Sequence, residues 1–472
     1  MMMKGAMEKS GSALSRRQFM GRSAAAAMLA ATGCITEGRR GTRWYRGMLH
    51  MHTLWSDGRA LPEQAVFAYK NAGYDFIAIS DHNRFQDNPD KWIPLGDAKD
   101  QGWPPKAVHA DCFKAYVERF GRGMVRERDG KTEVRLATYA ELKKMFDEPG
   151  KFLMLPGVEI TTDNLATGSP YAMHMNVIGI DDIIDRAKKA NLIENIPHHT
   201  VSSVIRETIE MSEALARKRG NPPFLCIVDH PNWPYYDVLA QDITDNPNVR
   251  YFEVCNNGST WPAPEELDGE WFQDDLWDAV LAYRLSHGQQ PLYGLGSDDT
   301  HFYPGSGLEN PYTFGDGYIM VRAAELTQKS LFEAIHNGDF YASSELDLED
   351  VVFDRATRTL RVSVPATRGV ACRIRFIASK KGAPTEPVRY VDIPETEERK
   401  KRARRVPVYD GRIGATVKLV EGRKGERLEA SYSLASDDLY VRARVESDAP
   451  TQFKRKRCLH PNHHTAWTQP YF

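Results

Sequence analysis

Between about residues 44 and 341, short apolar runs alternate with longer amphipathic stretches. This alternation is typical of buried strands joined by surface helices, and it predicts an α/β fold with a parallel sheet. The predicted strands are residues 75–80, 152–155, 175–179, 224–228, 251–254 and 292–296, and the predicted helices are 61–72, 201–219, 276–287 and 331–335. Asn337-Gly338 is a termination signal for the last helix, because glycine readily adopts the left-handed conformation that ends many helices.

The pattern changes twice along the chain. Residues 85–135 form a long polar stretch with tryptophan and proline, which predicts an inserted cap or loop. After about Leu346 apolar residues alternate with polar ones, for example in residues 359–364 and 439–445, and no long helical pattern is visible. Alternation with a period of two predicts an antiparallel β-sandwich of roughly 120 residues.

Composition narrows the classes of protein. The chain has 472 residues, 41% of them hydrophobic, which is enough for two globular domains and an export segment. The formal net charge of −2 gives no general attraction to nucleic acid, and the basic run at residues 399–405 follows an acidic stretch, so it is interpreted as solvated. The six cysteines form no CxxC pair, which argues against thiolate zinc sites and thioredoxin-like chemistry.

The first 40 residues have the features of an export signal. Paired arginines, Arg16-Arg17, stand two residues before Phe19, as in twin-arginine signals, and an alanine-rich stretch too short to span a bilayer follows. Residues 31–34 resemble a lipobox, which makes Cys34 a candidate for lipidation. We therefore expect residues 1–40 to be a signal peptide and the protein to be periplasmic or anchored at the cell envelope. The alternative is a disordered alanine-rich leader.

Histidines and carboxylates recur where the predicted strands end. His50 and His52 have i, i+2 spacing, which places two imidazoles on one face of an extended segment, and Asp299 and His301 repeat that spacing. The candidate metal ligands are His50, His52, Asp57, His82, Glu159, His174, His230, Asp299 and His301. Each motif is weak alone, but strand ends that converge on one edge of a sheet would bring these residues into one metal site. His174 is the exception, since it opens its run instead of closing it.

These motifs, in this order, resemble those of the PHP (polymerase and histidinol phosphatase) family of metal-dependent phosphoesterases. The matching segments are residues 47–53, 56–58, 79–83, 156–159, 174, 230–232 and 296–301, and the resemblance spans about residues 44–345. It implies a distorted (β/α)7 TIM-like barrel at residues 41–345, to which we add the predicted β-sandwich at residues 346–472. It also implies two or three divalent metal ions.

The resemblance further implies how the ligands are divided. His50, His52, Glu159 and Asp299 would surround one metal ion, and Glu159 would bridge to a second ion held by His174 and His230. Asp57, His82 and His301 would hold a third.

The ligand types indicate the chemistry. Imidazoles and carboxylates without thiolates suit Zn²⁺, Mn²⁺ or iron. Adjacent ions of this kind lower the pKa of a bound water to produce hydroxide and neutralise phosphoryl oxygens, so the expected reaction is hydrolysis of a phosphate mono- or diester. Asp81 and Asp298 are candidates for orienting the ligands or transferring protons. The candidate substrate contacts are Asn83, Arg84, His198 and His199, for which the alternative is an ordinary polar surface.

Two other functions fit the same residues. One is an amidohydrolase-like metal hydrolase that acts on a substrate without phosphate, and the other is a non-catalytic surface lipoprotein that binds metals. For the preferred interpretation, a phosphoesterase, the expected substrate is a small-molecule or polymer phosphate ester. Turnover of a substrate would distinguish this enzyme from the non-catalytic metal-binding protein.

Overall fold

The computed structural model describes residues 41–96, 105–162, 173–181, 200–232, 238–256, 272–308, 314–393, 404–450 and 463–472. The helices of this part are α1 (Pro62–Asn71), α2 (Ala110–Phe120), α3 (Tyr139–Phe146), α4 (Val201–Lys218), α5 (Ala240–Thr244), α6 (Phe272–Ser286) and α7 (Gln328–His336). The first strands are β1 (Arg43–Met48), β2 (Phe76–Ile79), β3 (Trp92–Gly96), β4 (Val108–His109), β5 (Val125–Arg128), β6 (Lys131–Arg135), β7 (Leu153–Thr162), β8 (Met173–Ile178), β9 (Leu225–Val228), β10 (Tyr251–Asn256), β11 (Tyr293–Ser297), β12 (Tyr318–Ala323) and β13 (Phe340–Ser344). The remaining strands are β14 (Asp350–Asp354), β15 (Thr359–Val364), β16 (Cys372–Lys380), β17 (Arg389–Ile393), β18 (Arg404–Val408), β19 (Ala415–Glu421), β20 (Leu428–Ser433), β21 (Asp438–Pro450) and β22 (His463–Thr468).

Most of the strands belong to one mixed sheet of 13 strands, ordered β11-β10-β9-β8-β7-β2-β1-β12-β13-β22-β21-β16-β19. Strands β1, β2 and β7 run parallel to one another, and so do β9, β10 and β11. Strand β8 is antiparallel to both of its neighbours, β7 and β9. All six predicted strands are present, but the expectation of a wholly parallel sheet is wrong at β8.

The segments that follow β1 and β11 contact each other, although several strands separate β1 from β11 in the order of the sheet. Met51, after β1, forms a parallel bridge with Thr300, after β11, and the His52 amide donates to the Thr300 carbonyl at 3.0 Å. Strand β11 also packs closely on β12, because a Cβ at Gly296 would lie only 2.6 Å from the Tyr318 carbonyl oxygen. The segments that follow β1 and β11 are therefore neighbours, and both carry predicted ligands.

Successive residues of a strand in the main sheet face opposite sides and pack into different hydrophobic cores. In β2, Phe76 and Ala78 join a cluster of side chains from neighbouring strands, whereas Ile77 and Ile79 pack with α1 and α3. The outward residues of β8, β9 and β10 pack in the same way with α4 and α6. This arrangement follows from the period of two in a strand, and it buries the strands on both sides.

The segment predicted as a cap or loop at residues 85–135 has its own secondary structure. It forms a four-stranded sheet, ordered β4-β3-β6-β5, with α2 packed beside it. Cys112 and Tyr116 of α2 are buried in a small core with Leu54 and Trp55, which lie between His52 and Asp57. The insertion therefore supports the loop that carries a predicted ligand.

Beyond residue 345 the described residues form strands and loops, as the alternating pattern predicts. Strands β14, β15 and β20 form a three-stranded antiparallel sheet, and β16, β19, β21 and β22 continue the main sheet. Apolar side chains of the two sheets share one core, which includes Leu360, Phe376 and Val445. The main sheet continues across the predicted boundary at residues 345 and 346, because β13 pairs with β22. The β-sandwich and the domain limits stay predictions.

A buried cluster of charges links α6 to β21. Arg442 is fully buried and donates to both carboxylate oxygens of Asp278, at 2.7 and 2.6 Å, while its Nη1 lies 2.7 Å from Asp274. Tyr440 donates to Asp278, and the indole of Trp467 donates to Asp274. Each of these buried charges therefore has an opposite charge beside it.

Among the described helices, none is both long and apolar enough to cross a membrane. The predicted signal peptide, including Cys34, lies outside the described residues.

Candidate metal centre

The structure brings all nine predicted ligands together at one edge of the main sheet. Eight of them follow or lie in strands that run in one direction, and His174 is the second residue of the reversed strand β8. Because β8 runs the opposite way, its beginning lies beside the ends of its neighbours. The unusual position of His174 in its run is thus explained by the direction of its strand.

His50 and His52 follow β1 and are buried, with exposed fractions of 1% and 0%. Their Nε2 atoms point in one direction, at 3.3 and 3.0 Å from Oδ1 of Asp299. After His52 the chain forms a turn that brings Asp57 back beside His52. In this turn the amides of Ser56 and Gly58 both donate to the Thr53 carbonyl. A Cβ at Gly58 would lie 2.4 Å from the His52 carbonyl, so only glycine permits this close return.

Glu159 lies at the centre of the cluster and directs its two oxygens to different groups. Its Oε1 lies 2.6 Å from Nδ1 of His174 and 3.6 Å from Nε2 of His230. Its Oε2 lies 3.4 and 3.1 Å from the Nε2 atoms of His50 and His52. A fully buried carboxylate between two pairs of imidazoles has the position that a ligand shared by two ions requires.

A third group surrounds Asp57. His82 and His301 direct their Nε2 atoms at its carboxylate, each at 3.3 Å, and His52 lies 3.5 Å away. One ligand atom from each of these four residues lies within 4.8 Å of the others. Similar groups form from His50, His230 and Asp299, and from His82, Glu159 and His174. These groups share members, as they would in a centre with several neighbouring ions.

Unsatisfied buried atoms test whether a metal fits here. The Nε2 atoms of His50 and His52 and Oε2 of Glu159 are buried and make no well-aligned hydrogen bond, although both Nε2 atoms lie within 3.4 Å of that oxygen. A buried polar atom without a partner is costly, and such atoms normally find one. Lone pairs that converge in this way fit a cation with nitrogen and oxygen ligands.

The backbone is strained at three residues of this edge. Asn83, His230 and Asp299 have φ values of 48°, 22° and 49°. Residues other than glycine seldom adopt positive φ, at a cost of roughly 1–3 kcal/mol each, and such strain concentrates at functional sites. The surrounding hydrogen bonds must offset this cost.

The charges in the cluster change the pKa values of its members. Burial lowers the pKa of an imidazole, but at three histidines the nearby carboxylates outweigh burial. The pKa values of His50 and His82 are raised well above the ordinary value, and the pKa of His52 is raised to about 9. Burial dominates at His174 and lowers its pKa to about 4. The imidazolium charges outweigh burial in turn at Glu159, whose pKa is lowered well below its ordinary value. Protons thus balance the carboxylates in the metal-free protein, and a cation would displace them.

Asp81 and Asp298 lie behind the cluster. Asp81 accepts hydrogen bonds from the Thr53 amide at 2.7 Å and from the hydroxyls of Thr53 and Ser56. Asp298 accepts from the Tyr69 hydroxyl of α1, and burial raises its pKa to about 7. Both carboxylates hold the loops that carry His52, Asp57 and Asp299, which is an orienting position. Proton transfer by either residue stays a prediction.

The predicted substrate contacts are placed differently from one another. Asn83 uses its side-chain amide to pair with the backbone of Thr161, donating to the carbonyl at 2.9 Å and accepting from the amide at 3.1 Å. Arg84 is at the surface beside it and donates to the Asn83 carbonyl. His198 and His199 lie outside the described residues. Asn83 therefore holds the strand of Glu159, while substrate contact by any of the four is untested.

Two buried carboxylates at the site were not predicted. Glu253 of β10 lies 2.8 Å from Nδ1 of His50, and Asp229, just before His230, accepts from Asn176 at 3.0 Å. Both lie within one group with His50. The available signal was the presence of an acid inside an apolar strand, Phe252-Glu253-Val254, since such a residue needs buried partners.

No protein-family model matches this chain, and no curated protein is similar to it in sequence. Among solved structures, it is similar to a two-domain protein from Bacteroides vulgatus described as containing a predicted PHP-like metal-dependent phosphoesterase. The identity is 13% and the TM-score 0.37, over 94% of this chain and 100% of the other.

Two shorter proteins are also similar. One, from Bifidobacterium adolescentis, has the provisional description of a metal-dependent phosphoesterase, with 14% identity and a TM-score of 0.25 over 57% of this chain and 91% of the other. The second is an amidohydrolase from Chromobacterium violaceum, with 14% identity and a TM-score of 0.25 over 56% of this chain and 90% of the other. These likenesses are too distant to assign a family or an activity to this chain.

Proposed function

We propose that this protein is a PHP-type metal-dependent phosphoesterase that hydrolyses a phosphate mono- or diester. The observation that carries the proposal is the position of Glu159, whose two oxygens face His174 with His230 on one side and His50 with His52 on the other. The adjoining group of Asp57, His82 and His301 extends the same cluster.

The proposed ligand sets are those that the resemblance to the PHP family implies. His50, His52, Glu159 and Asp299 would hold one divalent ion, and Glu159 would be shared with a second ion held by His174 and His230. The group around Asp57 would hold a third. Bound Zn²⁺, Mn²⁺ or Fe²⁺ would supply an activated water and neutralise the phosphoryl oxygens.

Charge supports an anionic substrate. Asp57, Glu159 and Asp299 are the acidic members of the proposed ligands, and the buried carboxylate of Glu253 beside His50 adds a fourth negative charge, so three divalent ions would exceed the total. The site would then be positive at its centre, and phosphate esters are anionic. The hydrogen bonds of Asp81 and Asp298 hold the loops that carry the proposed ligands, so little reorganisation is needed when charge develops.

The fold and location are part of the proposal. Seven strands, β1, β2 and β7 to β11, together with the bridge between Met51 and Thr300, support a distorted (β/α)7 barrel. The two packed antiparallel sheets beyond residue 345 support a β-sandwich. The twin-arginine pattern supports export to the periplasm or the cell envelope, with Cys34 as the lipid anchor.

The test is hydrolysis of a panel of phosphomonoesters and phosphodiesters by protein reconstituted with Zn²⁺, Mn²⁺ or Fe²⁺. The variant with His50→Ala and His52→Ala should lose the activity, because both side chains belong to the proposed first ion's ligands. A variant with His287→Ala and His463→Ala changes two exposed histidines and should keep it.

Each outcome has a distinct meaning. Ester hydrolysis that the site variant loses and the surface variant keeps would support the proposal. Metal binding without hydrolysis of either ester class would overturn it. A parallel panel of amides and lactones then separates an amidohydrolase-like enzyme, which turns one of them over, from a metal-binding protein.

A further inference from the structure

Glu253 is a buried carboxylate that none of the proposed metal-binding groups requires. It lies in the middle of β10, its exposed fraction is 2%, and its neighbours Phe252 and Val254 belong to the apolar core. An isolated charge at such a position is strongly unfavourable, so its partners indicate what it does.

Four donors surround the carboxylate, two on each oxygen. Oε1 accepts from Nδ1 of His50 at 2.8 Å and from the Ser297 hydroxyl at 2.5 Å. Oε2 accepts from the backbone amide of His230 and from the Asn256 side chain, both at 2.8 Å. These partners come from the segments that follow or end β1, β9, β10 and β11, so Glu253 joins four strand ends.

A β-bulge makes this arrangement possible. Residues three apart in a regular strand face opposite sides, which would separate Glu253 from Asn256. The register between β10 and β11 shifts between Glu253 and Cys255, and this extra residue turns Asn256 to the same side as Glu253. Asn256 also lies 3.4 Å from Oδ2 of Asp299, so the bulge connects Glu253 to a second ligand loop.

We propose that Glu253 is a positioning residue of the metal centre, holding His50 as the tautomer with its proton on Nδ1 and fixing the backbone of His230. This inference rests on the proposed function above. With Nδ1 protonated, the lone pair of His50 is on Nε2, the atom that faces Glu159 and Asp299. The charge of Glu253 also makes this imidazole a stronger ligand.

Glutamine cannot replace this carboxylate, because it has one acceptor oxygen and one donor NH₂ group. If the NH₂ group faces His230 and Asn256, it meets two other donors. If it faces His50, Nδ1 must become the acceptor, and the imidazole proton moves to Nε2, where it blocks the ligand atom. Either orientation weakens metal binding although the side chain keeps its size.

The experiment compares wild-type protein, E253Q and the control E63Q in their affinity for Zn²⁺, measured against a chromophoric chelator, and in the visible spectrum of the Co²⁺ form. Glu63 is also a buried carboxylate with a hydrogen-bonding partner, Tyr116, but it belongs to none of the ligand groups. We expect E253Q to lower the Zn²⁺ affinity by about 10- to 100-fold and to change the Co²⁺ spectrum, while E63Q changes neither.

The unfolding of the metal-free proteins is measured in parallel, because a purely structural role would lower stability and leave the affinity and the spectrum of the folded protein unchanged. That result would overturn the inference alone. Wild-type protein that binds neither ion would overturn the proposed function together with this inference. If E253Q does not fold, S297A removes one of the four donors, and it should lower the Zn²⁺ affinity severalfold; an unchanged affinity overturns the inference.

Discussion

The histidines of the cluster make metal binding dependent on pH. In the metal-free protein the pKa of His52 is raised to about 9, and the pKa values of His50 and His82 are also raised. These imidazoles are therefore in the protonated, positively charged form at neutral pH. A metal must displace these protons, and its affinity should therefore rise as the pH increases from 6 to 9. Calorimetric titration with Zn²⁺ in buffers of different ionisation enthalpy should detect proton release at pH 7. Affinity that is constant over this range, with no proton release, would contradict the proposed ligands.

Asn83 should matter for stability through both its backbone and its side chain. Asn83→Ala removes two hydrogen bonds to Thr161 and leaves a residue with a Cβ at φ 48°, whereas Asn83→Gly removes the same bonds without the strain. We expect both variants to be less stable in urea unfolding, the alanine variant by about 1 kcal/mol more than the glycine variant. Equal losses would mean that the backbone conformation at this residue is not strained.

At the residue scale, side-chain chemistry made the members of the histidine and carboxylate cluster predictable. His50 with His52 and Asp299 with His301 share an i, i+2 spacing that places both side chains on one face of an extended segment, and this spacing recurs at strand ends. Glu253 was missed for the opposite reason, since one acid in an apolar strand has no spacing to indicate a partner. Its role depends on a bulge and on residues from three other segments, which only the folded arrangement brings together.

At the scale of elements, the positions of strands were predictable, but their directions and lengths were not. The apolar run at residues 175–179 predicts a strand, and β8 contains most of it, yet nothing in the run specifies that it pairs antiparallel with β7 and β9. Strand β7 is also longer than the predicted 152–155, because its second half, with Glu159, pairs with β8. The position of His174 at the start of its run was the one local sign of the reversal.

The contact between α1 and α2 should give the protein a pH-dependent stability. Glu63 of α1 is buried against Tyr116 of α2, and burial raises its pKa from the ordinary 4.5 to about 7. Between these two values the unfolded chain loses the proton while the folded protein keeps it, so the free energy of unfolding falls as the pH rises from about 4.5 to 7. Below the ordinary pKa both states are protonated and the effect is absent.

E63Q removes this titration. The free energy of unfolding of E63Q minus that of wild type should increase from pH 5 to pH 8 by up to about 3 kcal/mol. Urea unfolding of the metal-free proteins at both pH values measures this difference. Comparing the two proteins at each pH cancels the titration of all other groups. A difference that stays constant, or that favours wild type at pH 8, would show that Glu63 ionises normally in the folded protein.

At the scale of the whole molecule, the sequence predicts a change of architecture near residue 345, and the strand pattern does change there. It does not indicate that β13 pairs with β22, more than one hundred residues later in the chain, so that the main sheet continues through both predicted domains. Pairing between distant strands depends on tertiary packing instead of local pattern. The two predicted domains are therefore expected to unfold together.

The buried charges between α6 and β21 make this coupling testable. Arg442→Met leaves the carboxylate of Asp278 buried without its cation, and loss of one partner from a buried ion pair typically costs about 3–5 kcal/mol. Arg427→Met is the matched control, because Arg427 makes ion pairs with Glu349 and Glu429 at a half-exposed position, where such pairs contribute less than about 1 kcal/mol. Urea unfolding followed by far-ultraviolet circular dichroism and by tryptophan fluorescence should show the larger loss for Arg442→Met in a single coincident transition. Two separate transitions in the wild type, or an early transition confined to one signal in the variant, would show that the parts on either side of residue 345 unfold independently despite their common sheet.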